Sequence, residues 1–342
     1  MAGPLAGMKV IEMAGIGPGP FCAMMLADMG AEVLRIESPT RIDLVRVLPP
    51  HDEGVSASHA YLNRNKRGMA LDLKKPEGRE ILAQLVGKTD VLLHSMRSSA
   101  ATRLGLDYAS LSAANPALVY CHVKGYSDEG PYGGRPAYDD IIQAASGLAM
   151  MQSVIKGEPR YVPTIIVDKI SGLHAAWAIA MALMQRHQTG VGQQVDVAMF
   201  ETMAAFNMME HQWGYAFEPP MAGMGYEPVS SASRRPYKTL DGYMALLPYS
   251  DAHWKRFFEL ADEPHIMQDE RFSTFAARQK NFRHVWDEIE RQVARKSNAE
   301  WLALLTPEDV PFSVVNSLED LVNDPHLESV NFWDIREHPT EG

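Results

Sequence analysis

Three side chains in one stretch have the types and spacing to do chemistry together. Residues 137–148 read AYDDIIQAASGL and residues 162–192 begin VPTIIVDKISGLHAAW, which sets Tyr138, Asp139 and Asp168 beside segments of helical pattern. From Ile170 to Gln188 the apolar residues recur at spacings of three and four. Ala175, Ala176, Ala178 and Ala180 permit close packing there, and Gly190 supplies a stop. Asp168 therefore falls at a helix entrance, where its carboxylate can accept backbone N–H groups and feel the positive end of the dipole, both of which favour the ionised form. A carboxylate held in this way is a structural cap or a nucleophile. Spacing alone favours the cap, because Asp is among the commonest residues there.

The elements that must position these groups begin at the N-terminus. MKVIE, from Met8 to Glu12, is a short apolar strand; the loop AGIGPGP follows, and FCAMMLADMGAEVLRIE supplies a helix, a turn and a second strand. Strands apolar on both faces and alternating with helices predict an α/β fold, with a parallel sheet covered on both sides. Gly15, Gly17 and Gly19 invite a dinucleotide reading with Glu37 as the ribose ligand. The fingerprint, however, wants its third glycine three residues beyond the second, where this chain has Pro20. A tight turn into a helix explains the loop as well as a phosphate contact does.

Arg41 and Arg46 follow in a polar loop, then the basic cluster NRNKRG, a strand at MALDL, a helix over Pro76 to Val86 with Pro in its first turn, and a strand from Asp90 to His94. The basic cluster reads as a solvated face, or as a site for a phosphorylated ligand at the ends of the strands. LVYCHVKGY is a further strand and SDEGPYGGRP an irregular loop; after Gly192 a strand at QQVDV runs into a long Met- and Phe-rich helix. PPMAGMGYEPVSSASRRP reads as a linker and mobile loop. Beyond it come a hairpin turning at LDG, a helix capped by Ser250 or Asp251, further helices at 276–294 and SNAEWLALL, and a returning strand at VPFSVV. The divisions expected are a large domain over 1–200, joined by the tail 315–342, linkers over 201–225 and 301–314, and a small α/β domain over 226–300.

Composition narrows the function. At 342 residues the chain exceeds one compact core, and a formal net charge of −11 speaks against a nucleic-acid surface. Cys22 and Cys121 are the only cysteines, so no disulfide framework or thiolate zinc site is on offer; no metal is expected, and a reducing, cytoplasmic setting fits. The start lacks the order of a signal peptide, and the richest apolar run, Ile170 to Met184, carries His174 and reads as too short for a bilayer, so no membrane partner is expected.

Taken together, LAGMKVIEMAGIGPGPFCAMMLADMGAEVLRIE, NRNKRGMALDLKKPEGRE, AYDD, the VD at the helix entrance and RRPYKTLDGYMALLPY resemble a family III CoA-transferase. This is the CaiB/BaiF group, which contains formyl-CoA transferase, carnitine CoA-transferase and, as an isomerase branch, α-methylacyl-CoA racemase. The resemblance runs along nearly the whole chain. It implies a Rossmann-like large domain, a small domain, and a homodimer of two interlocked rings. It also implies an acyl-CoA and a small carboxylic acid as substrates, with no permanently bound cofactor. Under it, Asp168 is the catalytic nucleophile with Tyr138 and Asp139 beside it, and the contacts to coenzyme A fall on Ile16, Gly17, Leu71, Asp72, Leu73, Lys74, Arg97 and Arg103. The racemase branch carries a His where this chain has Tyr138, whose ordinary pKa is about 10, so a transferase is favoured over the alternative racemase or epimerase. His122 and His174 are the histidines available as bases, and both read as satisfied core residues. A dinucleotide-binding oxidoreductase is a third reading, carried by the Gly15 to Gly19 loop alone. The family's glycine-rich lid corresponds here to VSSASRR, with Ser230 and Ser231, and Tyr226, Arg234 and Arg235 are candidates for binding a second carboxylate of the acyl group. The chain ends at HPTEG, where the resemblance leads one to expect further strand.

Overall fold

Six short strands, the inner ones rich in buried apolar residues, assemble into one parallel sheet: β1 (Lys9–Met13), β2 (Glu32–Glu37), β3 (Lys66–Ala70), β4 (Val91–His94), β5 (Val119–Lys124) and β6 (Gln194–Ala198). In this computed structural model, which describes residues 3–52 and 55–337, the strand order is β3-β2-β1-β4-β5-β6 and every pairing is parallel. That is the doubly wound order whose direction reverses between β1 and β4, and ligands of such sheets bind beyond the carboxyl ends of the strands at that reversal.

Alternation along the strands feeds two cores. Val10, Val33, Leu93 and Cys121 face helices α1 (Pro18–Asp28) and α5 (Ile166–Thr189). Ile11, Leu92 and Tyr120 face the other side, where α2 (Pro76–Val86) contributes Leu82 and Val86. Two shorter helices in this unit, α3 (Ser98–Leu104) and α4 (Asp139–Ala145), follow loops at the strands' carboxyl ends, and α6 (Met199–His211) follows β6 directly. Helix α5 is longer than the periodic run predicts. By length and composition alone its 24 residues could cross a bilayer, but it packs against α1 and the sheet. Its closeness to α1 depends on Gly172, where a Cβ would lie 2.8 Å from the Pro18 carbonyl oxygen and 2.9 Å from the Phe21 ring.

The chain divides into two units between Glu210 and His211. The second contains a three-stranded antiparallel sheet of β7 (Tyr237–Lys238), β8 (Tyr243–Leu246) and β9 (Phe312–Val314) with β8 in the middle. Against it lie α7 (Asp251–Leu260), α8 (Phe282–Val293) and α9 (Asn298–Leu305), around buried Trp254, Phe257, Phe258 and Trp301. Ser250 rather than Asp251 caps α7. The stretches 201–225 and 301–314, read as linkers, carry part of α6, part of α9 and all of β9, because their apolar residues are used in packing. The described tail from 315 groups with the second unit rather than the first, and HPTEG lies outside the described residues.

The basic cluster corrects another expectation. The strand there is Lys66–Ala70, so the basic residues sit at its amino end, away from the carboxyl ends where ligands bind. They are consumed by carboxylates: Arg64 by Asp28, Arg67 by Glu32, and Lys66, its side chain buried, by Glu12 at 2.8 Å. Glu12 is itself inaccessible, and its other oxygen accepts from Arg35 at 2.6 Å. Removing one partner of a buried ion cluster strands the others without compensation. We expect Glu12→Gln to lower the urea-unfolding free energy by about 3–5 kcal/mol at neutral pH, and Arg67→Gln, on the exposed pair, by less than about 1 kcal/mol.

Candidate active site

Asp168 stands third in α5 rather than at its cap, and its neighbours bring the cap to it. Ile165 at the cap position has no side chain to offer the first turn. The Asp139 carboxylate, arriving from the first turn of α4, accepts the Asp168 N–H at 3.1 Å through Oδ2. Its Oδ1 accepts from Gln143 Nε2 at 2.6 Å, and Gln143 Oε1 accepts the Val162 N–H at 2.9 Å. Asp139 thus supplies the acceptor that the start of α5 lacks.

The Asp168 side chain is left bare. It is 8% exposed, and its carboxylate accepts no hydrogen bond among the described residues. It lies against Gly17, where φ is +100° and an added Cβ would sit 2.5 Å from Asp168 Oδ2, so no other residue fits that turn. Burial first, then the charges of Asp139 and Asp140, push its pKa from the ordinary 3.8 up to about 7. The expectation of an ionised carboxylate fixed by N–H donors is therefore reversed: the donor at hand, its own N–H, is taken by Asp139. The group is poised close to neutrality and free of partners, which suits a carboxylate that must react.

Asp168 opens onto a cleft of about 1090 Å³ beyond the carboxyl ends of β1, β2, β4 and β5. Most charged groups on its walls are already paired. Arg46 grips Glu37 through Nε and Nη2, Arg35 holds Glu12 and Asp43, and Lys124 holds Asp128 at 2.8 Å and Asp196 at 3.1 Å. Arg41, Arg97 and Arg135 also line the cleft, and among the described residues none of the three has a carboxylate partner; Arg135 instead lies over the Tyr132 ring at 4.3 Å. Three free guanidinium groups in an acidic chain make a site for a polyanion.

Two buried histidines hold the backbone of the residue before one of these arginines. His94 Nδ1 accepts the Met96 N–H at 3.2 Å, His122 Nε2 donates to the Met96 carbonyl at 2.7 Å, and the rings stack with centroids 4.3 Å apart. Burial lowers both pKa values, so the pair stays neutral and clamps both sides of the residue before Arg97.

Of the residues singled out in the sequence, Ile16, Arg97, Tyr138 and Asp168 line the cleft, with Gly17 in contact range of Asp168. Tyr138 is 69% exposed, at the cap of α4; Asp139 is buried behind Asp168. Leu71, Asp72, Leu73, Lys74 and Arg103 are not among the lining residues: Leu71 packs in the second core, the Leu73 carbonyl accepts from Arg79, and Arg103 lies in the last turn of α3. His122 is a satisfied core residue, whereas His174 is exposed, its ring against the Ile170 carbonyl. Arg235 is committed to Glu290. Arg135 and Gln143 escaped sequence reasoning. The RP of SDEGPYGGRP reads only as a turn, and a Gln inside a helix gives no signal of a buried partner.

Comparison with known proteins follows the same lines. The family model described as CoA-transferase family III matches residues 5–342. The chain is similar to a succinate–glutarate CoA-transferase of Agrobacterium fabrum, with 32% identity over 95% of this chain and 83% of that protein. It is also similar to a human succinyl-CoA:glutarate CoA-transferase, with 27% identity over 99% of this chain and 78% of that one. Among solved structures, a CaiB/BaiF family protein from Brucella suis superposes with a TM-score of 0.80 at 32% identity, covering 96% of this chain and 88% of its own.

The burial of Asp168 has a thermodynamic signature. Its folded pKa is raised, so between about pH 4 and about pH 7 the folded state keeps a proton that the unfolded chain has lost, and stability falls as pH rises through that window. We expect Asp168→Asn to match the wild type below about pH 4 and to exceed it above about pH 7, by on the order of 1–4 kcal/mol in denaturant titrations. An advantage that does not vary with pH would mean that Asp168 is ionised without cost.

Proposed function

The chain belongs to CoA-transferase family III and is an enzyme of that class, and we propose that it moves coenzyme A from an acyl-CoA donor to a carboxylic acid acceptor through covalent intermediates on Asp168. The observation that carries this is the unpartnered Asp168 carboxylate at the wall of a cleft with free cationic side chains. In the first step the carboxylate attacks the thioester carbonyl. A C–O bond forms, the C–S bond breaks, and the products are an acyl-aspartyl anhydride and CoA thiolate. The thiolate then attacks the aspartyl carbonyl, giving aspartyl-CoA thioester and releasing the donor acid. The acceptor carboxylate attacks that thioester, and the returning thiolate takes the new acyl group, which regenerates the carboxylate. Dividing the exchange in this way is what a covalent nucleophile contributes.

The N–H group of Gly17, which has no acceptor among the described residues and lies at the start of α1 against Asp168, is the donor we assign to the developing oxyanions, with the Tyr138 hydroxyl at the rim. Arg41, Arg97 and Arg135 would meet the diphosphate and 3′-phosphate, and the tethered CoA would hold the reacting groups in register. The relatives named for succinyl-CoA and glutarate support dicarboxylic acyl groups as the first substrates to try. A cytoplasmic setting is supported by the two cysteines, both free and fully buried.

After incubation with a panel of acyl-CoAs that includes succinyl-CoA, peptide mass mapping should find a CoA or acyl adduct on the peptide carrying Asp168, and Asp168→Ala should abolish transfer. An Asp168→Ala enzyme that still exchanges acids with acyl-CoA would overturn the assignment.

The homodimer, interlocked as in the resemblance, is also proposed. Leu173, Trp177, Met181 and Met184 form a stripe on one face of α5, exposed by 52, 65, 42 and 59%, and an apolar face of that extent needs a cover in water. Sedimentation of the wild type should give a dimer, and Trp177→Lys should weaken it; a monomeric wild type at micromolar concentration would count against the dimer.

A further inference from the structure

Gln143 carries no chemistry of its own and does not line the cleft, yet it is 1% exposed and both polar atoms of its amide are engaged. Its Nε2 donates to Asp139 Oδ1 at 2.6 Å while its Oε1 accepts the Val162 N–H at 2.9 Å, and the free oxygen of Asp139 takes the Asp168 N–H at 3.1 Å. We propose that Gln143 is a positioning residue for Asp168: it orients the Asp139 carboxylate that seats the nucleophile's backbone and ties the segment entering α5 to the same unit. This deepens the transferase mechanism above and rests on it.

The chemistry of the amide makes the assignment specific. Only a side chain with a donor and an acceptor on one planar group can serve both Asp139 and the Val162 N–H. A Leu serves neither, and a Glu serves both only while it is protonated. The charged groups on the elements packed about α5 are few. Asp139 and Asp140 face Asp168 from α4, Lys124 and Asp196 on β5 and β6 are paired with each other, and α1 carries no charge before Asp28 at its far end. On α5 itself, Lys169 turns away to Thr164 at 2.7 Å. The position and charge of Asp139 therefore govern how Asp168 is held and how readily it ionises, and Gln143 governs Asp139.

A polarity swap tests this. In D139N/Q143E the amide and the carboxylate trade places: the amide oxygen of the first substitution accepts the Asp168 N–H, its NH₂ donates to the carboxylate of the second, and that carboxylate accepts the Val162 N–H. All three hydrogen bonds return with the net charge unchanged. We expect Q143E to lower kcat roughly tenfold or more with KM for acyl-CoA within about threefold. The loss should deepen as pH rises and the shared proton leaves. The double variant should recover most of kcat. Wild-type kcat in Q143E across the pH range, or a double variant no better than the poorer single, would overturn the proposal. Titration of the Asp168 carboxyl by ¹³C NMR, assigned with D168N, separates it from the mechanism itself. A midpoint that moves in Q143E upholds the relay even if Asp168→Ala stays active, and a midpoint that does not move refutes it even if Asp168→Ala is dead.

Discussion

The close approach of α1 and α5 is the constraint on which the site depends. Gly172 lets the two helices meet at van der Waals distance of the Pro18 carbonyl, and Gly17 leaves room at the mouth of that contact for one carboxylate. With a side chain at either position, the first turn of α5 would have to move off the sheet's carboxyl edge. Asp168 would leave the cleft with it. The parallel sheet contributes the place, because the strand order reverses between β1 and β4, but the helix pair decides what stands there.

That packing also explains the electrostatics. The Asp168 N–H, buried where α5 meets α1, is out of reach of water and needs an internal acceptor, and Asp139 is that acceptor. Burial, and after it the second carboxylate close by, makes ionisation of Asp168 expensive. The same arrangement that secures the backbone therefore raises the basicity of the side chain. An ordinary surface aspartate is too stable as an anion to attack a thioester readily; one whose charge is disfavoured by its surroundings gains more from sharing that charge with a carbonyl.

Much of this could be read from the sequence. The strand and helix periods located β1, β2, β4, β5, α2 and the long helix to within a few residues, since burial on two faces leaves a strong pattern. Asp168, Tyr138 and Asp139 were visible as chemistry-bearing residues next to helix starts. What could not be read was direction and pairing. NRNKRG looks like a phosphate site because a one-dimensional string shows cations and hides their carboxylates, whereas Glu12, Asp28 and Glu32 lie 35 or more residues away and neutralise it. Spacing alone favours Asp168 as the cap over the nucleophile, because local spacing cannot reveal that Asp139, 29 residues earlier, does the capping. Gln143 and Arg135 gave no pattern at all, since their importance lies in contacts across the fold.

The division of cations between the two ends of the sheet carries a functional consequence. Those at the amino end of β3 are spent on folding: the Lys66 ammonium is buried against Glu12 and the Pro20 carbonyl and has no capacity left for a ligand. At the carboxyl end, Arg41 after β2, Arg97 after β4 and Arg135 after β5 have no carboxylate partner among the described residues. A chain of net charge −11 repels anions at a distance, so a phosphorylated ligand in this cleft would have to be held by short-range hydrogen bonds to groups such as these three rather than steered by the whole surface. Such a site distinguishes ligands by where their phosphates lie along the cleft. A substrate that satisfied all three at once would lie along a cleft whose wall carries, among the described residues, a single carboxyl group without a partner, Asp168.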